Sequence, residues 1–297
     1  MPDWDDLRIF LAVARAESLS GAGKLLKLDP ATVGRRIARL EEAVGARLFT
    51  RSAQGYAPTE AGQRLFDQAL GAEQAVAGAL DEVRGVPGRL SGQVRLGAPD
   101  GAANYLLPQV VAAICDDHPG LEVQIVALPR VFNLSKREAD MAIAVSSPDT
   151  GRLTVQKLTD YHLHLAAAPD YLASRPPIRG LADLRHHRMI GYIPDLIFDK
   201  EIDYLAATGV ETVSLASNSV SVQFNWIRTG AGVGIVHDFT LPAAPGVTRI
   251  LTEAFSLTRS FYLIRHADDR RVERLNRFAA LLAQGIRREV SRLEALA

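Results

Sequence analysis

Apolar residues first recur near helical spacing at Leu7, Phe10, Val13 and Ala14, which predicts an amphipathic helix. Glu17-Ser18-Leu19-Ser20 then supplies cap-type residues ahead of a second, short helix carrying Ala22, Leu25 and Leu26. The pair Asp29-Pro30 starts a third. Aspartate accepts hydrogen bonds from the orphan N–H groups of a first turn, and proline at the first helical position has no N–H to lose. This helix is expected to run to about Ala43. At about 100° per residue it collects Val33, Ile37 and Leu40 on one stripe and turns Arg35 and Arg39 the opposite way, with Thr32 and Arg36 on the flank.

Beyond it, Gly45-Ala46-Arg47-Leu48-Phe49-Thr50-Arg51 leads into a Gly- and Pro-punctuated stretch, Ser52-Ala53-Gln54-Gly55-Tyr56-Ala57-Pro58-Thr59, sized for a β-hairpin wing. From Thr59 onward Ala61, Leu65, Ala69, Ala72, Val76, Ala79, Leu80 and Val83 keep the helical period over about 25 residues. Such an alanine-rich seam suits helix pairing between two chains, or packing on its own domain. Arg84-Gly85-Val86-Pro87-Gly88-Arg89 excludes a continuing helix and reads as a hinge.

The pattern changes near Leu90. Strands are expected at residues 93–98, 121–128 and 139–145, with a helix over 102–116. A second set follows: strands at 163–168, 189–193, 213–216, 232–236 and 260–264, a helix over about 218–229, and a terminal helix carrying Val272, Leu275, Phe278, Leu282 and Ile286. Strands alternating with helices imply doubly wound α/β lobes. Two lobes of about 80 to 100 residues fit better than one large sheet.

Composition narrows the class. The chain has 297 residues, 47% hydrophobic and 23% charged, enough for two or three ordinary globular domains. The single Cys115 excludes an intrachain disulfide framework and a structural zinc site, and reads as a small buried hydrophobe after Val110, Val111 and Ile114. The start Met1-Pro2-Asp3-Trp4-Asp5-Asp6 is acidic where a secretory signal is basic. No apolar run approaches the roughly 18 residues of a membrane span, so a cytoplasmic protein is expected. Formal net charge is zero, but Lys24, Lys27, Arg35, Arg36, Arg39, Arg47 and Arg51 stand against Asp29, Glu41 and Glu42, seven against three, a local balance of +4. A short helix, a tight turn and a helix with guanidinium groups on its open side together suit DNA phosphates and guanine edges in the major groove.

Residues 4–66 resemble the LysR-type transcriptional regulators. The resemblance rests on Ser18-Leu19-Ser20-Gly21-Ala22-Gly23-Lys24-Leu25-Leu26, Thr32-Val33-Gly34-Arg35-Arg36-Ile37-Ala38-Arg39-Leu40-Glu41, the Gly45 to Arg51 run and Thr59-Glu60-Ala61-Gly62. Weaker motifs extend it over most of the chain: Gly97-Ala98-Pro99, Leu106-Leu107-Pro108, His118-Pro119-Gly120-Leu121-Glu122-Val123, Arg137-Glu138-Ala139-Asp140-Met141-Ala142-Ile143 and Gly230-Ala231-Gly232-Val233-Gly234-Ile235. The resemblance implies an all-α winged helix-turn-helix domain (residues 1–60), a linker or dimerisation helix with its hinge (61–88), and an effector-binding domain (89–297). That last domain is expected to be two α/β lobes of periplasmic-binding-protein type, lobe I at about 89–160 with 266–297 and lobe II at about 161–265, crossing near Asp160 and Arg265.

As DNA contacts the resemblance selects Ser18, Ser20, Lys27, Pro30, Thr32, Arg35, Arg36, Arg39 and Arg51. Many members carry Ser-Gln-Pro where this chain has Asp29-Pro30-Ala31, and Ser at Gly34. Asp29 repels phosphate unless its charge is occupied in capping the helix.

Ligands of open α/β sheets sit at strand C-termini, where helix N-termini offer free N–H groups. That rule picks Asp100, Gly101 and Ala102 in the first lobe and Asn218, Ser219 and Val220 in the second, with Arg130, Ser146 and Tyr192 near other strand ends. Each is equally readable as an ordinary cap or surface loop. An acid at position 100 competes with an anionic effector for the helix dipole; Arg130 pushes the other way.

The Gly230-Ala231-Gly232-Val233-Gly234 run follows a helix and precedes a strand, the reverse of a phosphate cradle. His162, His164, His186 and His187 lack metal-site spacing, and no catalytic motif stands out. The expectation is a non-enzymatic, cofactor-free homodimer or homotetramer, binding double-stranded operator DNA and a small-molecule effector. The rival readings are a small-molecule binding protein whose N-terminal helices serve assembly, and an enzyme on the α/β lobes.

Overall fold

The computed structural model describes residues 3–52, 55–84, 89–127, 139–148, 152–267, 269 and 272–297, without the side chains of residues 51, 52, 74, 75, 77, 78 and 81–84. The chain divides into the units Met1–Arg84 and Gly85–Ala297.

In the first unit, α1 (Trp4–Ala16) begins where the Asp3 carboxylate accepts the Asp5 N–H at 3.0 Å and ends at Glu17, whose φ of 49° turns the chain. Ser18 caps α2 (Leu19–Leu26) by accepting the Gly21 N–H at 2.9 Å. Asp29 caps α3 (Pro30–Val44) by accepting the Ala31 N–H at 2.8 Å, and Gly45 ends it at φ 69°. The turn between α2 and α3 is tight: Leu28 N–H donates to the Gly23 carbonyl at 2.9 Å. A Cβ on Gly23 would lie 2.6 Å from the Leu28 carbonyl oxygen. Phe10, Val13, Ala22, Val33, Ile37 and Leu40 are buried together, so the expected stripe of α3 is the face that packs.

The expected wing is the antiparallel pair β1 (Phe49–Ser52) and β2 (Gly55–Pro58). Phe49 anchors it, with its ring 5.2 Å from that of Phe10. Then α4 (Glu60–Arg84) runs for 25 residues. It starts so close to the wing that a Cβ on Gly62 would lie 2.0 Å from the Leu48 carbonyl oxygen. Its first half packs against the rest of this unit, with Ala69 buried and Glu73 ion-paired to Arg15 on α1. Further along, Val76 and Leu80 are exposed.

In the second unit, β3 (Ser91–Ala98) lies parallel between β4 (Gly120–Ala127) and β5 (Met141–Ala144). Helices α5 (Asp100–Tyr105) and α6 (Leu107–Asp117) join β3 to β4. The single helix expected over 102–116 is therefore two. At Leu106 φ opens to −115°, well off the ideal helical value, and Pro108 has no N–H to continue the ladder. Two long strands, β6 (Leu153–Ala167) and β11 (Leu257–His266), pair antiparallel with a bulge between Phe261 and Tyr262. The strand expected at 163–168 is only the last third of β6; its first half holds Thr154, Gln156 and Lys157, without an apolar run.

After α7 (Pro169–Ala173), β7 (Met189–Gly191) pairs parallel with β8 (Leu215–Ala216) and with β9 (Val233–His237). α8 (Val220–Arg228) starts on Ser219. β10 (Thr248–Ile250) pairs with β6, and α9 (Glu273–Glu294) closes the chain. The sheet runs β4-β3-β5-β11-β6-β9-β7-β8, so two α/β lobes share the strands β6 and β11. Cys115 is half-buried against the core, and burial, then Asp116, pushes its thiol up from the ordinary range. Of the expected hinge, Arg84 to Arg89, residues 85–88 lie outside the described residues.

Candidate nucleic-acid interface and effector cleft

The open side of α3 is less cationic than its helical wheel implies. Arg36 and Arg39, expected on the flank and open face, both reach back to the N-terminus of α1. Arg39 donates Nε to Asp6 Oδ2 at 2.7 Å, and Nη2 to Asp6 Oδ1 at 2.7 Å and Asp3 Oδ2 at 2.9 Å. Arg36 donates to Asp6 Oδ1 at 2.8 Å and pairs with Asp5 at 3.0 Å. Asp6 is only 2% exposed. Burial alone would push its carboxyl up, but hydrogen bonds from Arg39 and Arg36 outweigh that and hold it below the usual carboxylate range. A wheel drawn on one helix could not include the acids of another.

Arg47 is likewise paired, at 3.0 Å to Glu41, which also accepts the Leu48 and Phe49 N–H groups at 2.7 and 3.2 Å. Among the described side chains this leaves Lys24, Lys27 and Arg35 exposed and without a carboxylate partner. Arg35 lies over Thr32, donating to its Oγ1 at 3.3 Å. Pro30 is exposed at the first position of α3, and Ser20 is exposed on α2, while the Ser18 hydroxyl is engaged as a cap. Asp29 spans its own helix start, which answers the concern over its charge. Arg51 sits in β1 opposite Tyr56, its side chain outside the description.

The second cluster lies between the lobes. Asp100, opening α5, extends Oδ2 across to the start of α8, where it accepts Ser219 Oγ at 3.1 Å, Ser221 N–H at 2.8 Å and Ser221 Oγ at 3.0 Å. Beneath this bridge is a cavity with about 410 Å³ of empty space including its mouth, lined by Asp100, Gly101, Ala102, Tyr192, Asn218 and Val220 among the expected residues. Ser146 does not line it; its hydroxyl donates to Asp199, a second tie between lobes. Arg130 lies outside the described residues.

The deep wall was not anticipated: Tyr161, Tyr204, His237 and Phe261. Tyr161 stacks on Phe261 at 4.2 Å and on His237 at 5.4 Å between ring centroids. His237 Nε2 lies 3.3 Å from the Tyr204 hydroxyl, and Nδ1 has no partner among the described residues. Burial holds this imidazole neutral, its pKa brought down to about 3. His237 ends β9, so the strand-terminus rule that picked Asp100 would have reached it had the strand been carried one residue further. Tyr204 lies among short helical turns with no periodicity to mark it.

Of the other singled-out histidines, His164 and His162 have carboxylate partners. His164 Nδ1 lies 2.9 Å from Asp238, which Arg249 also holds at 3.0 Å. His162 lies 2.9 Å from Glu294. His187 packs in the core, its pKa lowered by burial and then by His186 and Arg175. In the glycine run, Gly232 passes the Arg188 carbonyl so closely that a Cβ would lie 2.4 Å from it, a packing reason for that glycine.

Residues 4–63 match the family model of bacterial regulatory helix-turn-helix proteins of the lysR family, and residues 87–287 match the LysR substrate binding domain. The chain is 29% identical over 238 residues to the HTH-type transcriptional regulator PtxR of Pseudomonas aeruginosa, covering 78% of this chain and 76% of that protein. It is 28% identical over 239 residues to the HTH-type transcriptional activator TtdR of Escherichia coli K12, covering 77% and 75%. Its fold is similar to that of CrgA, a LysR-type regulator from Neisseria meningitidis, at TM-score 0.60 and 23% identity over 95% of this chain and 98% of that one. Full-length LysG from Corynebacterium glutamicum, solved with the effector Arg bound, aligns at TM-score 0.65 and 17% identity over 98% of each chain.

Proposed function

This chain belongs to the LysR family, and from that membership we propose how its parts read DNA and sense an effector. It is a DNA-binding transcription regulator with an effector-binding domain, and its relatives are regulators, not enzymes. No helix among the described residues is long and apolar enough to cross a membrane.

We place base readout on Arg35 and Thr32. Lys27, Ser20 and the backbone at Pro30 meet phosphates, and the Arg51 wing tracks the flanking backbone. The observation that carries this division is the engagement of Arg36 and Arg39 with Asp6, which leaves Arg35 as the guanidinium on α3 without a carboxylate partner. Arg36 and Arg39 then act by fixing the angle of α3 on α1. The domains divide the work as residues 1–60 for DNA, 61–88 for assembly and 89–297 for sensing.

Two copies pair through α4, whose exposed Val76 and Leu80 continue a shallow apolar groove with Trp4, Leu7 and Leu11. The dimer, or a dimer of dimers, presents paired helix-turn-helix units to a pseudo-palindromic operator. A small effector enters the cleft between Asp100 and residues 218–220. It changes transcription to the extent that it binds one arrangement of the DNA-binding pairs better than the other. Footprinting on the DNA upstream of the chain's own gene tests this reading. Protection of two half-sites about one helical turn or a multiple apart is expected; protection that does not depend on sequence overturns it.

A further inference from the structure

An effector entering between the lobes meets residues that restrict its chemistry. In a cleft of this kind the N–H groups at the start of α8 are the natural seat for an anion. Here they are taken. Asp100 occupies the Ser221 N–H and both serine hydroxyls, and the Ser219 hydroxyl in turn accepts the Val222 N–H at 3.3 Å. The chain's own carboxylate holds the position an acidic ligand needs, and it is the charged side chain among the described cavity walls.

A cation fares no better deeper in. The burial that keeps His237 neutral imposes the same desolvation cost on an ammonium group brought beside it. What the interior offers is a set of ring faces and edges, Tyr161, Tyr192, Tyr204 and Phe261, together with two buried polar atoms that have no partner among the described residues, the Tyr161 hydroxyl and Nδ1 of His237. A neutral imidazole that meets the Tyr204 hydroxyl through Nε2 presents a single donor or acceptor at Nδ1, and buried polar atoms of that kind are ordinarily paired. Aromatic walls favour another ring, offset or edge-on.

We infer that the effector is an uncharged aromatic compound, a phenol in its simplest form, whose polar group bonds His237 Nδ1 while its ring lies against Tyr161, Tyr192 and Tyr204. As it stands the interior of the cavity is tight, with room for about one water. Asp100 latches the two lobes together across its mouth. Entry requires the tyrosine wall to give way toward the neighbouring space behind Tyr192 and Tyr204, about 1040 Å³ including its opening to solvent. Gly101 leaves the floor clear: a Cβ there would meet Val220 and His237 only at 3.5 and 3.8 Å.

The inference rests on the cleft being the effector site, and the test separates the two. The full-length protein is titrated by calorimetry and thermal melting with phenol, benzoate and benzylamine, three rings of similar size and different charge. Phenol is expected to bind and raise Tm, with benzoate and benzylamine at least tenfold weaker. His237→Phe should weaken phenol at least tenfold. Asp100→Asn, which keeps an acceptor for the Ser221 N–H, should strengthen benzoate at least tenfold. Gly101→Leu fills the cavity and should abolish binding of any ring. Benzoate or benzylamine binding more tightly than phenol, yet blocked by Gly101→Leu, overturns the uncharged class and leaves the site in place. Binding unaffected by Gly101→Leu overturns the site itself. Absence of phenol binding at millimolar concentration, or phenol binding unchanged in His237→Phe, overturns the inference.

Discussion

Arg39 grips Asp6 with two hydrogen bonds of 2.7 Å, one to each carboxylate oxygen. A side chain that the pattern of α3 turns toward DNA is thereby made part of the joint between α1 and α3. The acid is buried and the arginine half-exposed, so the pair falls between the surface and interior cases.

Asp6→Ala is expected to cost about 2 kcal/mol, between the roughly 0–1 of an exposed pair and the 3–5 of breaking a buried one. Chemical denaturation of the full chain, followed by Trp4 fluorescence in a Trp226→Phe background, measures the loss. Because the folded carboxyl is held below its ordinary value of 3.8, its contribution is complete above about pH 4 and disappears as the pH falls through the folded value. Asp6→Asn should flatten that acid limb.

His237 gives the second unit its own pH dependence. Its folded pKa, brought down from 6.5 to about 3 by burial, makes the unfolded chain the better proton acceptor. Stability is full above about pH 6.5 and declines as the pH falls toward 3. In melts between pH 7 and 4, His237→Phe should lose less stability than the unmodified chain; identical slopes would contradict a buried neutral imidazole.

Gly62→Ala should be severe. The added Cβ would lie 2.0 Å from the Leu48 carbonyl oxygen, a backbone atom, so α4 must shift off the wing at a cost of about 3 kcal/mol. Thermal melting reads it. A stability within about 0.5 kcal/mol of the parent, the range of a neutral surface change, would contradict this packing.

Val76→Asp with Leu80→Asp places two charges on the exposed run of α4. Sedimentation velocity should show the dimer shifting to monomer with the helix-turn-helix core intact, since neither residue is in that core. An unchanged dimer would place assembly elsewhere.

Local patterns carried the N-terminal unit furthest. Asp29-Pro30, Ser18 and Gly45 act through their immediate neighbours, so the helix bounds were legible from spacing and cap chemistry. The stripe Val33, Ile37 and Leu40 was legible too. The Asp6 clamp spans 33 residues and leaves no periodic trace. In the second unit the alternation of strands and helices revealed the lobes, but β6 crosses between them with a half-exposed first half, and one-sided strands of that kind hide in a polar sequence. The cleft followed the same division. Asp100 and residues 218–220 are at strand ends, where a rule applies, whereas Tyr161, Tyr204 and Phe261 converge from three separate stretches of chain.

Operator affinity of Arg35→Ala, set beside the unmodified chain across a salt series, decides whether α3 reads DNA through the guanidinium that no carboxylate holds. Loss of one base contact is worth about 1–3 kcal/mol, roughly a 5- to 150-fold weaker Kd at fixed salt, with Tm unchanged because Arg35 is exposed. An Arg35→Ala protein that binds the operator as tightly as its parent would contradict this reading of the interface.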